Sequence, residues 1–316
     1  MNKRLLITGS AGFIASNLIR KIIYEKQPYS IVSIDMVNGN ANSLYSHKNH
    51  QFYFADFRDR HIIDKIFQFE KPDIVIHAGA STHVDYSITD PNTFITSNIL
   101  GTQVIINSCI KYKIERLVYI STDEVNGHLT NELDASWTED TILNPRNTYS
   151  ASKAAGELLV KAAHATHGLI YNITRSSNNY GPRQTSEKLI PKVIKCILNN
   201  EKIPIYGQGL QIRDWTHVFD NCSAIMTVVN NGKPNEIYNI TANQEFTNIE
   251  VVQKICNAME AGHSLIEFIE DRKGHDFRYS LNASKIKTLG WEPKIKFKDG
   301  IIDTVNWYKL NQWLLR

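Results

Sequence analysis

The chain has 316 residues, 42% hydrophobic and 21% charged, too apolar for a disordered chain and long enough to bury a core without disulfide or metal staples. Its 35 Lys and Arg against 32 Asp and Glu leave a formal net charge of +3, which argues against a nucleic-acid coat or a polybasic membrane anchor. No apolar run approaches the ~18–20 residues that span a bilayer, and the apolar stretch in the opening MNKRLLITGS falls short of the ~7–15 residues of a secretion signal, so it reads as a first strand and the protein as cytoplasmic.

Strands are predicted at 4–8, 30–35, 51–55, 74–77, 116–121 and 170–175. Helices are predicted between them, at about 13–26, 59–69, 92–112 and 149–167. Asp90-Pro91 supplies an N-cap and first-turn pair for the third helix. Strands alternating with helices of this length make βαβ units, and right-handed crossovers then favour an α/β, Rossmann-type, doubly wound parallel sheet. After Arg175 the pattern loosens into Tyr180-Gly181-Pro182, Ile203-Pro204-Ile205-Tyr206-Gly207 and Asn231-Gly232-Lys233-Pro234, which reads as a smaller α+β lobe. Residues 1–175 are expected to form a nucleotide-binding domain, with some later segments returning to it, and 176–316 mainly a second lobe across a shared cleft. Cys109, Cys196, Cys222 and Cys256 form no C-x-x-C pair, so they read as inert thiols with no metal site.

The stretch Leu5-Leu6-Ile7-Thr8-Gly9-Ser10-Ala11-Gly12-Phe13-Ile14 reads as strand, glycine turn and helix start. Gly9 permits the tight turn, and Gly12 lets backbone N–H groups approach a pyrophosphate at the positive end of the helix. Asp35 ends the second strand, roughly 20 residues on, where a carboxylate can accept from the adenosine ribose hydroxyls. Met36-Val37-Asn38 offers no arginine for a 2′-phosphate, so NAD is favoured over NADP. An acidic residue that simply ends a strand would look the same.

Tyr149-Ser150-Ala151-Ser152-Lys153 puts Tyr149 and Lys153 one helical turn apart. An ammonium beside a phenol favours the phenolate, which can take an alcohol proton as hydride leaves. Ser121-Thr122-Asp123-Glu124 follows the fifth strand, at the end where α/β crevices lie. Thr122 can bond a reacting sugar hydroxyl. Asp123 and Glu124 are adjacent carboxyls, which tend to split into an acid and a base. A plain alcohol oxidation needs neither, so the pair implies an added step such as loss of water.

With these motifs the chain resembles the extended short-chain dehydrogenase/reductases, and within them the nucleotide-sugar 4,6-dehydratases, most of all those acting on dTDP-glucose. The likeness runs through Thr82-His83-Val84-Asp85, Ser121-Thr122-Asp123-Glu124-Val125, Ser177-Asn178-Asn179-Tyr180-Gly181-Pro182, Glu187-Lys188-Leu189-Ile190-Pro191, Ile212-Arg213-Asp214-Trp215 and Asp271-Arg272-Lys273-Gly274-His275-Asp276. It implies that NAD contacts Gly9, Gly12, Phe13, Ile14, Asp35, Met36, Val37, Asn38, Asp56, Phe57, Ala78, Gly79, Ala80, Ser81, Thr82, Ser97, Tyr149, Lys153 and Asn179. It implies that a nucleotide-sugar meets Thr82, Thr122, Asn178, Lys188, Leu189, Pro204, Ile205, Tyr206, Arg213, Asn248, Asp271, Arg272 and His275. The basic members suit a diphosphate, and Pro204 and Tyr206 suit a flat base. The catalytic set implied is Thr122, Asp123, Glu124, Tyr149 and Lys153: C4 oxidation, water elimination across C5 and C6, then hydride return to C6. The apolar faces Ile95, Ile99, Val104, Ile105 and Leu158, Leu159, Ala162, Ala163 read as core, whereas the resemblance implies that parts of both helices pair across a two-fold axis as a homodimer's four-helix bundle.

Four positions depart from the family pattern. Asn126 replaces Tyr, Tyr86 replaces Arg, Thr216-His217 replaces Leu-Tyr, and Phe277 replaces an Arg. None is a proposed catalytic group. They leave the base and sugar open, among them UDP-glucose, more than the reaction. Epimerase or decarboxylase chemistry on the same scaffold, or a non-catalytic NAD-binding protein, are the other readings.

Overall fold

Alternate residues of the first strand fall into two different cores, which marks a sheet covered on both faces. Leu5 and Ile7 pack with Leu18 and Ile19 on one side, while Leu6 packs with Ile63, Phe67 and Ile105 on the other. The structure is a computed structural model that describes residues 2–37, 46–271 and 275–315. In chain order it runs β1 (Lys3–Thr8), α1 (Phe13–Tyr24), β2 (Tyr29–Asp35), β3 (His50–Phe54), α2 (Arg60–Glu70), β4 (Ile74–His77), α3 (Val84–Thr89), α4 (Pro91–Phe94), a π-helical segment (Ile95–Gly101), α5 (Thr102–Lys111), β5 (Arg116–Thr122), α6 (Thr148–His167) and β6 (Tyr171–Ser176). It continues with β7 (Asn178–Tyr180), α7 (Leu189–Leu198), β8 (Ile203–Tyr206), β9 (Ile212–His217), α8 (Val218–Asn231), β10 (Glu236–Ile240), β11 (Glu245–Thr247), α9 (Asn248–Ala258), β12 (Ile266–Ile269), α10 (Ser284–Lys287) and α11 (Phe297–Leu310).

Seven strands pair in parallel in the order β3-β2-β1-β4-β5-β6-β10, a Rossmann-type sheet. The order reverses between β1 and β4, and a ligand crevice opens beyond the strand ends there. α1 and α8 cover one face, and α2, α5 and α6 the other. β11-β9-β7 and β12-β8 form two small sheets over a third core built from α7, α9 and α11.

All six predicted strands are present within a residue or two at their ends, the usual uncertainty of strand limits. The predicted helix at 92–112 is a composite: Asp90 caps α4 with Pro91 in its first turn, and the π-helical segment then leads into α5. α3 is an addition to the predicted elements. It is a short helix capped by His83, too brief for a periodic pattern.

One buried ion pair ties α6 to the sheet. Arg175 Nη2 lies 2.7 Å from Glu157 Oε2, with the two side chains 1% and 0% exposed, and Ser121 Oγ donates to Glu157 Oε1 at 2.6 Å. Glu157→Ala would leave Arg175 buried without its carboxylate. It should cost about 3–5 kcal/mol in a denaturant titration, against less than ~1 kcal/mol for removal of the exposed Lys3–Glu115 pair.

Candidate active site

The glycine turn is held by contacts no side chain could share. Gly9 has φ +68°, and a Cβ there would stand 2.6 Å from Gly79 Cα. Its N–H donates to Ile34 O at 3.0 Å. Gly12 opens α1 with no side-chain cap, so the first-turn N–H groups face the crevice. Ser10 Oγ is buried beside them without a partner among the described residues. An uncapped helix start and an orphaned hydroxyl fit a pyrophosphate. Asp35, at the end of β2, accepts from Ala11 N at 2.9 Å and Val37 N at 3.1 Å. Burial raises its pKa, and the backbone bonds oppose that.

The other expected cofactor residues divide between crevice and core. Phe13 and Ile14 are half-buried against the α1 side of the sheet. Met36 and Val37 are exposed at the end of β2. Asn38 and Arg272 lie outside the described residues. Asp56 is paired with Arg58 at 2.7 Å. Phe57 turns its ring into the core rather than the crevice, edge-on to His77 at 5.4 Å, in the space left by Gly79 and Gly101. Ala78, Gly79, Ala80 and Ser81 form the loop after β4, and Asn98 pins it: Ser81 N donates to Asn98 Oδ1 at 2.7 Å, and Asn98 Nδ2 donates to Ser81 O at 2.9 Å. Ser97 is buried on the π-helical segment beside Asn98. His77 links β4 to β1 and α5 through Thr8 at 2.6 Å and Thr102 at 3.0 Å. Burial drops its pKa to about 3, so it stays neutral.

β5 delivers the reacting groups. It ends at Thr122, and Asp123–Asn126 form a 3-10 turn. Thr122 Oγ1 accepts from Glu124 N at 3.3 Å and donates to Asp123 Oδ1 at 3.1 Å. Asp123 is buried, and its other oxygen has no partner among the described residues. Burial, reinforced by Glu124, pushes its pKa up to about 8, so it holds a proton at neutral pH. Glu124 is half-buried at the cleft; burial raises its pKa, while the Asn147 amide, Lys188 and Arg213 favour the carboxylate.

Tyr149 and Lys153 lie on the first two turns of α6, which opens on a capping box of Asn147 and Ser150. One expectation needs correction. Lys153 was to draw the Tyr149 pKa down, yet burial and the Glu124 and Asp123 carboxyls raise it, opposed by a hydrogen bond to Thr122. Lys153 is itself desolvated, its pKa lowered to about 7. Its ammonium lies 3.9 Å above the centre of the Tyr119 ring.

Beside Glu124 opens a cleft of about 620 Å³. Asn178, Lys188, Leu189, Pro204, Ile205, Tyr206, Arg213, Asn248 and His275, all named from the sequence for the sugar nucleotide, line it together with Asn179, which was named for the cofactor. Thr82 sits at the rim, its carbonyl accepting from Lys188 Nζ at 3.0 Å. Asp271 stands behind His275, with 2.7 Å between Oδ1 and Nδ1, and the His275 ring meets Tyr206 edge-on. Arg213 is more committed than a free phosphate ligand. It donates to the carbonyls of Ile212, Asp276 and Phe277 and stacks 4.1 Å over Tyr279. Asn147, Arg146 and Tyr279 also line the cleft and were missed, because each belongs to a loop or cap whose partners come from distant segments.

The chain belongs to the GDP-mannose 4,6 dehydratase family, whose sequence profile matches residues 6–304. It is 42% identical to low-salt glycan biosynthesis protein Agl12 of Haloferax volcanii, over 96% of this chain and 98% of that one. It is 40% identical to dTDP-glucose 4,6-dehydratase of Escherichia coli, over 99% and 96% respectively. Its fold matches the crystal structure of DesIV, the dTDP-glucose 4,6-dehydratase of Streptomyces venezuelae with NAD and TYD bound, at a TM-score of 0.95 and 36% identity over 99% of both chains.

Asp123 also links the site to stability. Its folded pKa of about 8 lies above the unfolded value of ~4, so between those pH values the folded chain holds a proton that the unfolded chain releases. Stability from this group is full below pH ~4 and is lost as pH rises through about 8; Glu124, shifted the same way, adds to the slope. Asp123→Asn should therefore raise the melting temperature by ~2 °C or more at pH 8.5, and by less at pH 4.5, in scanning calorimetry.

Proposed function

We propose that this chain is an NAD-dependent dTDP-glucose 4,6-dehydratase, a hydro-lyase that makes the 4-keto-6-deoxy sugar nucleotide. The observation that carries the reading is the carboxyl pair: Asp123 is buried with one oxygen unpartnered among the described residues, while Glu124 accepts from the Asn147 amide at the opening of the helix that carries Tyr149 and Lys153. Related dTDP-glucose dehydratases and NAD-bound structures support the base and the cofactor.

The residues then act in order. Thr122 bonds the C4 hydroxyl, and Tyr149, one helical turn from Lys153, takes the C4 proton in its phenolate form as hydride leaves. Glu124 removes the C5 proton, made acidic by the new C4 ketone, and Asp123 protonates the departing C6 hydroxyl. Bound NAD would supply the hydride acceptor at C4 and the donor at C6, and Glu124 returns a proton to C5 as C6 is reduced, so no NAD is consumed. Gly9, Gly12, Asp35 and the loop at residues 78–81 would hold it, and Tyr206, Pro204, Lys188 and Arg213 the nucleotide diphosphate. In this reading residues 1–175 serve the cofactor and 176–316 mainly the sugar nucleotide.

Mass spectrometry of products from dTDP-glucose, UDP-glucose, UDP-N-acetylglucosamine and GDP-mannose tests this directly. The expected result is loss of one water from dTDP-glucose with no net NADH. An unchanged mass with a shifted sugar peak would make the protein an epimerase. Glu124→Gln should oxidise C4 but slow elimination by ~10²–10⁴-fold, whereas Tyr149→Phe should stop the first oxidation.

The chain is proposed to work as a cytoplasmic homodimer. Four buried free thiols suit a reducing compartment, and no helix of the described residues is long and apolar enough to cross a membrane. Ile105 and Ala163 belong to the chain's own core, but Ile95, Leu100 and Leu158 are 42%, 57% and 56% exposed on the two helices proposed to pair. Leu158→Glu should halve the mass measured by sedimentation equilibrium without lowering secondary structure content.

A further inference from the structure

Asn147 uses one side chain for two purposes. Its Oδ1 accepts from the Ser150 backbone N–H at 2.8 Å, and its Nδ2 donates to Glu124 Oε2 at 3.3 Å. The cap sets the amide's orientation, since only the oxygen can accept from Ser150, and the NH₂ is left to face Glu124. The Glu124 carboxyl is thereby held at the N-terminus of a 20-residue helix, whose unpaired N–H groups favour negative charge. Tyr149 sits two residues further along that same helix.

We infer that Asn147 is a positioning residue for C5 proton abstraction: it fastens the base Glu124 to the helix that carries Tyr149 and keeps that carboxylate ionised and aimed. This rests on the dehydratase reading. The groups facing Glu124 are Asp123 beside it, Tyr149 on α6, Lys188 ahead of α7, Arg213 on β9, and Asp276 and Tyr279 near the chain's end. Lys188 and Arg213 act on it through space, and Asp276 opposes them. Asn147 is the one that donates a hydrogen bond to its side chain among the described residues.

Serine caps a helix as well as asparagine but is shorter and has no amide NH₂; aspartate caps it too and brings a like charge. Asn147→Ser should therefore leave Tyr149 in place while freeing Glu124. Both variants are to be compared with the wild-type holoenzyme on dTDP-glucose. Stopped-flow absorbance reads C4 oxidation as transient NADH, and mass spectrometry in D₂O reads exchange at C5. For Asn147→Ser, oxidation should stay within about two-fold of wild type while NADH accumulates, because elimination slows about ten-fold, the scale of one hydrogen bond to a charged group. KM should hold within about two-fold, and the acidic limb of the kcat profile should move up by about one pH unit. Asn147→Asp should go further in the same direction. Acidic limbs unmoved in both variants, or oxidation slowed as much as elimination, would overturn the inference. Should the serine variant melt early, the aspartate variant gives the same readouts with the cap kept. A wild-type chain that leaves the mass of dTDP-glucose unchanged would overturn the dehydratase reading and this inference with it; normal wild-type turnover with unaffected variants overturns this inference alone.

Discussion

A helix that buries a lysine and a glutamate one turn apart holds its place only when both charges are answered where they stand. α6 finds those answers on β5 and β6. Tyr119 puts its ring under the Lys153 ammonium, Ser121 donates to Glu157, and Arg175 pairs with Glu157. Gly156 makes the fit possible, since a Cβ there would lie 2.1 Å from the Tyr119 hydroxyl. Tyr149, one turn above Lys153, is thereby brought to the end of β5 where Thr122, Asp123 and Glu124 emerge.

The same burial that positions these groups sets their protonation. Among the described residues Asp123 makes no ion pair, and burial and Glu124 hold its pKa up; Glu124, one residue on, accepts from Asn147 at the opening of α6 and feels the Lys188 and Arg213 charges through space. Two neighbouring carboxyls thus become unlike through surroundings alone. The cost falls on stability, because a buried carboxyl held protonated in the fold is one the unfolded chain would ionise. The Glu157–Arg175 pair lies deeper, at full burial, and takes no part in the cleft; it holds the helix against that strain.

The parallel sheet, its glycine turn and the Tyr149–Lys153 pair were legible because each is local: apolar runs, two glycines, and one helical turn. The carboxyl pair was legible for the same reason, as adjacent residues after a strand. What could not be read was how distant segments close on them. Phe57 was expected at the cofactor; its ring packs as a wedge under Gly79 and Gly101, a packing that depends on two glycines far away in sequence. The Tyr149 pKa was expected to follow Lys153, but the electrostatics of the folded site are governed by desolvation and by Glu124, neither of which spacing reveals.

The π-helical segment shows the same limit in geometric form. From Phe94 to Cys109 the buried positions step by four: Phe94, Asn98, Thr102 and Ile106 in one row, Ser97, Gly101, Ile105 and Cys109 in the next. In a pure α-helix of 3.6 residues per turn, a step of four drifts by ~40°, so the row would wind away from the crevice within a few turns. The i→i+5 bonding of Ile95–Gly101 rotates each residue less and takes up that drift. Asn98 can then hold Ser81 and donate to Ser152 on α6 at 2.9 Å, while Thr102, one step on, still faces His77. The loop that borders the crevice and the helix that carries Tyr149 are thus joined through one side chain, whose aim depends on a departure from regular helix that no periodic pattern announces.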